Sequence, residues 1–220
     1  EKDSTNFVNL ENDYDAEYSD WTNYALEQWK GTVQDGAHGV REIAAPDIDS
    51  IKAFQADGTK GHFHDSADLV ILDGQAYDGD GNALNLGGAL TEKSFYDARE
   101  GKTVTVSEID MALLNASGHF PANGLIYAYR SDASTQQPNG VRLVNGAELA
   151  GPLTVVTEDP LYVQGDYNTV DKKAASVIAD AVNLLSNGWT DNGGTMQNAS
   201  ETTYNMAFVT GNVPTPDGGG

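Results

Sequence analysis

The run Asn139-Gly140-Val141-Arg142-Leu143-Val144-Asn145-Gly146 encloses four strand-forming residues between two Asn-Gly dipeptides. Aliphatic and β-branched side chains in so short a run suit a pleated strand better than a helix. Asn-Gly tolerates the left-handed backbone of a tight turn. The same cadence of short strand, Asx-Gly turn and short strand extends over residues 123–168, and it resembles the coils of a β-helix or a set of meandering stacked sheets.

Working outward, further strands are expected at Val40–Ile43, Ile48–Phe54, Leu69–Leu72, Thr103–Val106, Leu125–Tyr129, Leu153–Thr157, Leu161–Val163 and Tyr204–Val209. Turns are expected at Asp73-Gly74, Asp78-Gly79, Asp80-Gly81 and Asn123-Gly124. The 24 glycines are dispersed rather than gathered in one linker, which is the punctuation of a mainly β chain.

Two segments read as helices. Tyr14, Tyr18, Trp21, Ala25 and Trp29 recur at three- and four-residue steps, predicting an N-terminal helix over about 12–29. Ala175, Ile178, Ala179, Val182 and Leu185 share one helical face, with Asp171 as N-cap and Asn187-Gly188 as the stop. They predict one long amphipathic helix over about 172–186, although Lys172 and Lys173 would oppose its dipole in the first turn. The expected organisation is a helical attachment segment over 1–30, a β-rich domain with an inserted helix over 31–213, and a loop over 214–220.

Charge narrows the function. The 220 residues hold 12 Lys plus Arg against 33 Asp plus Glu, a net charge of −21. A nucleic-acid backbone is held by clustered cations, so nucleic acid is excluded as a partner, and an anionic membrane surface is disfavoured for the same reason. Absence of Cys removes disulfides, thiolate metal sites and thiol nucleophiles. No stretch approaches the roughly 18 apolar residues of a membrane span, and Glu1 to Asn6 is not a signal peptide. Both ends are expected to be cuts within a longer polypeptide, leaving membrane attachment to a segment outside this sequence.

Candidate ligands are few. Asp78, Asp80 and Asn82 stand at the first, third and fifth positions of a calcium-loop pattern, but Ala83 replaces its turn glycine and Ala89 its bidentate glutamate. The same residues also fit a plain Asp-Gly turn. His62 and His64, one residue apart, would share a face on a strand and could form a transition-metal site with Asp65, Asp68, His38 or His119. Two exposed imidazoles are the plainer reading. No Gly-x-Ser-x-Gly elbow and no phosphate-binding Gly-x-x-x-x-Gly-Lys loop occurs. Catalytic carboxylate pairs cannot be singled out among so many acids.

One further stretch is distinctive: Pro160-Leu161-Tyr162-Val163-Gln164-Gly165-Asp166-Tyr167-Asn168. Pro160 can open a strand, Leu161 and Val163 alternate inward, and Gly165-Asp166 turns the chain. Tyr167 then packs at a strand–helix junction, while Asp166 and Asn168 cap the helix or bind an ion, with calcium the candidate for Asp166.

Together with Phe95 to Val104, Ile109-Asp110, Gly140 to Gly146, Pro152 to Asp159 and Leu185 to Asp191, this motif resembles a bacterial extracytoplasmic domain family associated with PilX-like type IV pilus assembly proteins. The resemblance implies an extracytoplasmic, β-rich domain at the cell surface or in a pilus, with pilus or envelope proteins as partners. It transfers no catalytic residue. The function expected is therefore a non-enzymatic surface module, a minor pilus component or adhesin-like domain acting in assembly or contact, with self-association open to it. The alternative is a secreted β-helical polysaccharide-active enzyme or a calcium-stabilised carbohydrate-binding protein.

Overall fold

A computed structural model of the chain describes residues 46–134, 136–192 and 197–210. The helix expected over 12–29, the strand expected at Val40–Ile43 and the terminal loop lie outside the described residues. The remainder is mainly β. Two short helices, α1 (Ile48–Ile51) and α2 (His62–Ser66), precede β1 (Leu69–Leu72), β2 (Gln75–Asp78) and β3 (Ala83–Leu84). After a single 3-10 turn come β4 (Leu90–Asp97), β5 (Lys102–Asp110), α3 (Met111–Ala116), β6 (Leu125–Tyr129), β7 (Asn139–Val144) and β8 (Leu153–Val156). The series closes with β9 (Leu161–Gln164), β10 (Ala175–Ile178), β11 (Val182–Leu185) and β12 (Ala207–Val209).

The strands form two mixed sheets, ordered β12-β10-β8-β6-β1-β2-β3 and β11-β9-β7-β5-β4. From β5 onward successive strands alternate between the sheets, and neighbours within each sheet run parallel. The pairing steps along the chain in unequal increments, from thirty-four residues between Thr105 of β5 and Asn139 of β7 to twenty between β7 and β9. Val141 pairs with Leu161, twenty residues on, Leu161 with Val182, twenty-one on, and Leu153 with Ala175, twenty-two on. Antiparallel hairpins β1–β2–β3 and β4–β5 close the opposite end.

Because side chains alternate along a strand, every other residue enters the space between the sheets. Ile109, Leu143 and Val163 stack there in one row, and Leu69, Ile126, Val155 and Val177 in the facing row, all fully buried. The outer face of the seven-stranded sheet carries Val70, Tyr127, Val156 and Ile178, which pack with Ile51 and Ala53. The Tyr127 hydroxyl donates to the Ile51 carbonyl at 2.7 Å. On the outside of the five-stranded sheet, Phe95, Val104, Val106, Tyr162 and Leu185 pack together with Trp189.

Close approach of successive turns explains one glycine directly. A Cβ on Gly146 would lie 2.4 Å from the Tyr167 ring, so the aromatic side chain fits only because that position lacks one.

Three sequence expectations are corrected. The segment over 172–186 is not a helix but the two strands β10 and β11. Asn168 decides this, because its side chain takes both backbone groups of Lys173, accepting the N–H and donating to the C=O at 2.8 Å each. A helical first turn is thereby prevented, and Asp171, the expected N-cap, sits at φ 44° rather than in the extended region a cap requires. The spacing of Ala175, Ile178 and Val182 fits a helix, but cross-strand burial of Val177 outweighs that local preference. Secondly, Ile48–Phe54 starts as helix α1, because Asp47 receives the N–H of Asp49 on its side chain and that of Ser50 on its carbonyl. Finally, Asn139-Gly140 belongs to β7 rather than a turn, with the Asn139 amide donating to the Arg130 carbonyl and the Asp132 carboxylate.

Candidate functional site

Strand β7 points Val141 and Leu143 into the core, so Arg142 between them must face outward. It is nonetheless only 2% exposed. Its Nη1 and Nη2 donate to the two Asp191 carboxylate oxygens at 2.6 and 2.9 Å, Nη2 also meets Glu108 at 2.5 Å, and the guanidinium lies 4.9 Å from the Phe95 ring centre. Trp189 packs edge-on to Phe95 at 5.9 Å and donates its indole N–H to Asp191 at 3.1 Å. Burial opposes the charge on Arg142, but the hydrogen bonds and charges of Asp191 and Glu108 outweigh it and raise its pKa. Asp191 is lowered, chiefly by the bonds from Arg142.

Beside this pair lies a cleft of about 340 Å³, with Lys93, Asn145 and Gln164 on its walls. It adjoins a second cleft of about 240 Å³ that shares Val144, Asn145 and Gln164 and adds Asp166 and Asn187. The result is a polar trough over the ends of β7, β9 and β11. Its carboxylates are largely committed: Asp166 accepts the Thr203 N–H at 2.8 Å, and Asp191 is held by Arg142.

A wider cleft of about 540 Å³ brings together Asp65, Asp68, Asp78, Asp80 and His119. Asp78 serves its own turn. Its Oδ1 accepts the N–H of Asp80 and of Asn82 at 3.0 and 2.8 Å, and the Asn82 amide reaches both oxygens. These bonds, led by that from the Asn82 side chain, lower its pKa. Asp68 accepts the Asn123 N–H at 2.7 Å. Among the described residues no group of three or more His, Asp or Glu is placed to hold a metal ion.

His62 and His64 do not share a face. They lie on helix α2, where residues two apart diverge by about 200°. His64 is buried, with Nδ1 2.7 Å from the Ala53 carbonyl and its ring stacked 5.1 Å from Tyr127, and burial lowers its pKa. His62 faces solvent against Phe63.

The Pro160 to Asn168 motif is placed throughout by backbone needs. The Pro160 carbonyl accepts the Val141 N–H, and the Tyr162 hydroxyl donates to Asp97 at 3.0 Å. Gly165 adopts φ 78° and donates to the Leu185 carbonyl. Tyr167 bridges to Tyr204 instead of meeting a helix. Asn168, 1% exposed, links Lys173 to Asn205, whose carbonyl accepts its amide at 2.8 Å. Asp166 and Asn168 thus tie neighbouring turns of strand rather than cap a helix.

Sequence reasoning missed a second ionic group. Asp159 is 8% exposed and accepts the Arg130 backbone N–H at 2.7 Å, while the Arg130 guanidinium reaches Asp132, Glu92 and Ser107. Burial pushes Asp159 up to about 7 and also raises Glu158, whereas the hydrogen bond from Arg130 holds Asp132 down to about 2. For the first group the available signal was Arg142 itself: a charged residue between apolar neighbours on a strand with both faces covered requires a partner acid.

Comparison of the chain with protein-family models, with curated proteins and with solved structures returned no match.

Proposed function

We propose that the chain is a non-enzymatic, β-helix-like module of a bacterial extracytoplasmic surface, acting in assembly or contact as a minor pilus component or adhesin-like domain. The observation that carries this reading is the winding of the chain from β5 to β12, in which successive strands alternate between two sheets and neighbours within each sheet run parallel. Repetition of that kind builds an extended scaffold with broad sides rather than a deep enclosed pocket. The use of Asp78, Asp166 and Asp191 as hydrogen-bond acceptors for the fold itself agrees with it. So does the net charge of −21, which keeps an exposed protein soluble.

The test is surface accessibility on intact producing cells. Brief external protease should remove the chain's immunoblot signal while a cytoplasmic marker persists. Retention of the signal overturns the reading.

The trough beside Arg142 favours a second reading, a secreted polysaccharide-active or calcium-stabilised carbohydrate-binding protein. Its amides Asn145, Gln164 and Asn187 beside Glu108 and Asp166 offer donors and acceptors of the kind sugar hydroxyls engage. Calcium would then be sought at Asp78, Asp80 and Asn82 or at Asp166. Glycan-array binding or reducing-end release from acidic polysaccharides would decide for it.

A further inference from the structure

Both sheets stop on the same side, β11 ending one and β12 the other, and among the described residues no strand pairs with the outer edge of either. The two buried rows of the core end there as well. Leu184 continues the row of Ile109, Leu143 and Val163, and Phe208 continues that of Ile126, Val155 and Val177. Every earlier member of these rows is fully buried, yet Leu184 is 48% and Phe208 46% exposed. We propose that this end face is a docking surface for a second copy of the chain, the two copies meeting edge to edge about a two-fold axis.

Charge selects the occupant. Residues 181–190 and 202–210 contain no Asp, Glu, Lys or Arg, in a chain whose net charge is −21. Two such chains repel one another over most of their surfaces, and this end lets them approach through uncharged strands. Depletion of charge is also what marks the buried centre of protein interfaces. The opposite end does not offer itself to the same contact: its outer strand β4 carries the exposed Glu92 and Lys93, the kind of residues that block edge pairing. A head-to-tail stack is therefore disfavoured, and the closed two-fold arrangement remains. In it β12 runs antiparallel to its counterpart, and Phe208 and Leu184 of each copy cover the other's open core row.

The face is small. Residues 182–187 and 202–210 supply fifteen residues, against about twenty to thirty a side in interfaces of standard size, so association is weak, with a Kd of about 100 µM. The inference rests on strand topology and charge alone, and it stands or falls separately from the surface location proposed above.

Sedimentation of the full chain up to about 500 µM tests it. A monomer–dimer equilibrium is expected, with Leu184→Lys and Phe208→Lys each weakening it by about tenfold or more, since each places unpaired charge in the contact. Both side chains are half-exposed, so circular dichroism and Tm should confirm retained folding. Leu113→Lys, on an exposed side chain of α3, should leave the equilibrium unchanged. A monomer at the highest concentration, a dimer indifferent to both lysines, or growth beyond two copies overturns the proposal. Amide exchange gives an independent reading: protection of β11 and β12 should rise with protein concentration, and constant protection would mean that the chain covers this face itself.

Discussion

Arg142 and Asp191, forty-nine residues apart in sequence, meet through two parallel hydrogen bonds of 2.6 and 2.9 Å. The contact draws the segment after β11 back across the outer face of the five-stranded sheet, where Trp189 settles against Phe95. A covalent neighbour of one edge strand is in this way fastened to the middle of its sheet.

Removing one partner from this pair should be costly. Arg142→Ala leaves Glu108 and Asp191 without their cation, and a loss of about 3 kcal/mol is expected by urea unfolding. Arg142→Met, paired with Glu108→Gln and Asp191→Asn, should recover most of it, because the apolar stem still fills the space above Phe95. Equal losses in the single and triple variants would show that the attraction within the ion pair, and not packing or the cost of unpaired acids, carries the stability.

A pH dependence follows from Asp159. Burial raises its folded pKa from 3.8 to about 7, so between those values the folded chain binds more protons than the unfolded chain and stability falls as pH rises. Asp132 acts in the other direction: its folded pKa of about 2 lends stability above 3.8 that is lost as pH falls towards 2. A stability maximum near pH 4–5 is expected. Asp159→Asn should raise Tm at pH 8, by an amount equivalent to about 2 kcal/mol, and leave it nearly unchanged at pH 4. A rise of equal size at both pH values would remove the carboxyl proton from the explanation.

Asn168→Ala should destabilise by about 3 kcal/mol, since it deletes a buried amide that satisfies backbone groups of both Lys173 and Asn205. It also asks alanine to adopt φ 54°. Asn168→Gly relieves the backbone alone, so the difference between the two variants isolates the backbone cost, about 1 kcal/mol. Thermal unfolding of the three proteins side by side measures it.

Calcium should have little effect. The Asp78 oxygens already accept four hydrogen bonds within their own turn, and a cation would have to displace the Asn82 amide. Tm in about 5 mM calcium and in excess chelator should agree within about 1 °C, as expected without a ligand that favours the folded state. A rise of several degrees would restore the turn as a metal site.

What the sequence made legible was local. Val141–Val144, flanked by Asn-Gly, is a strand, and Leu125–Tyr129 and Leu69–Leu72 are strands with the bounds expected of them. The alternation between sheets could be heard in the spacing of residues 123–168 but not resolved from a meander, because register depends on partners about twenty residues away. The segment over 172–186 misled because short strands with Ala, Val and Ile satisfy helical spacing too, and the Asn168 side chain that excludes the helix is invisible to periodicity. The acids that hold Arg142, Glu108 and Asp191, were equally hidden. Asp191 is one carboxylate among 33 acidic side chains until Arg142 is brought beside it.

The short steps between paired strands from β7 to β11 also bear on the order in which the chain folds. Pairing β7 with β9 or β9 with β11 closes loops of about twenty residues, whereas β1 must wait for Ile126 to reach Leu69, fifty-seven residues away. Loop closure grows more costly in entropy with length, though slowly, and contacts between distant residues slow folding. The stretch from β7 to β11 is therefore the natural nucleus, with the hairpin β4–β5 forming independently beside it. Strand β1 pairs early with β2 across a two-residue turn, and that hairpin docks onto β6 last.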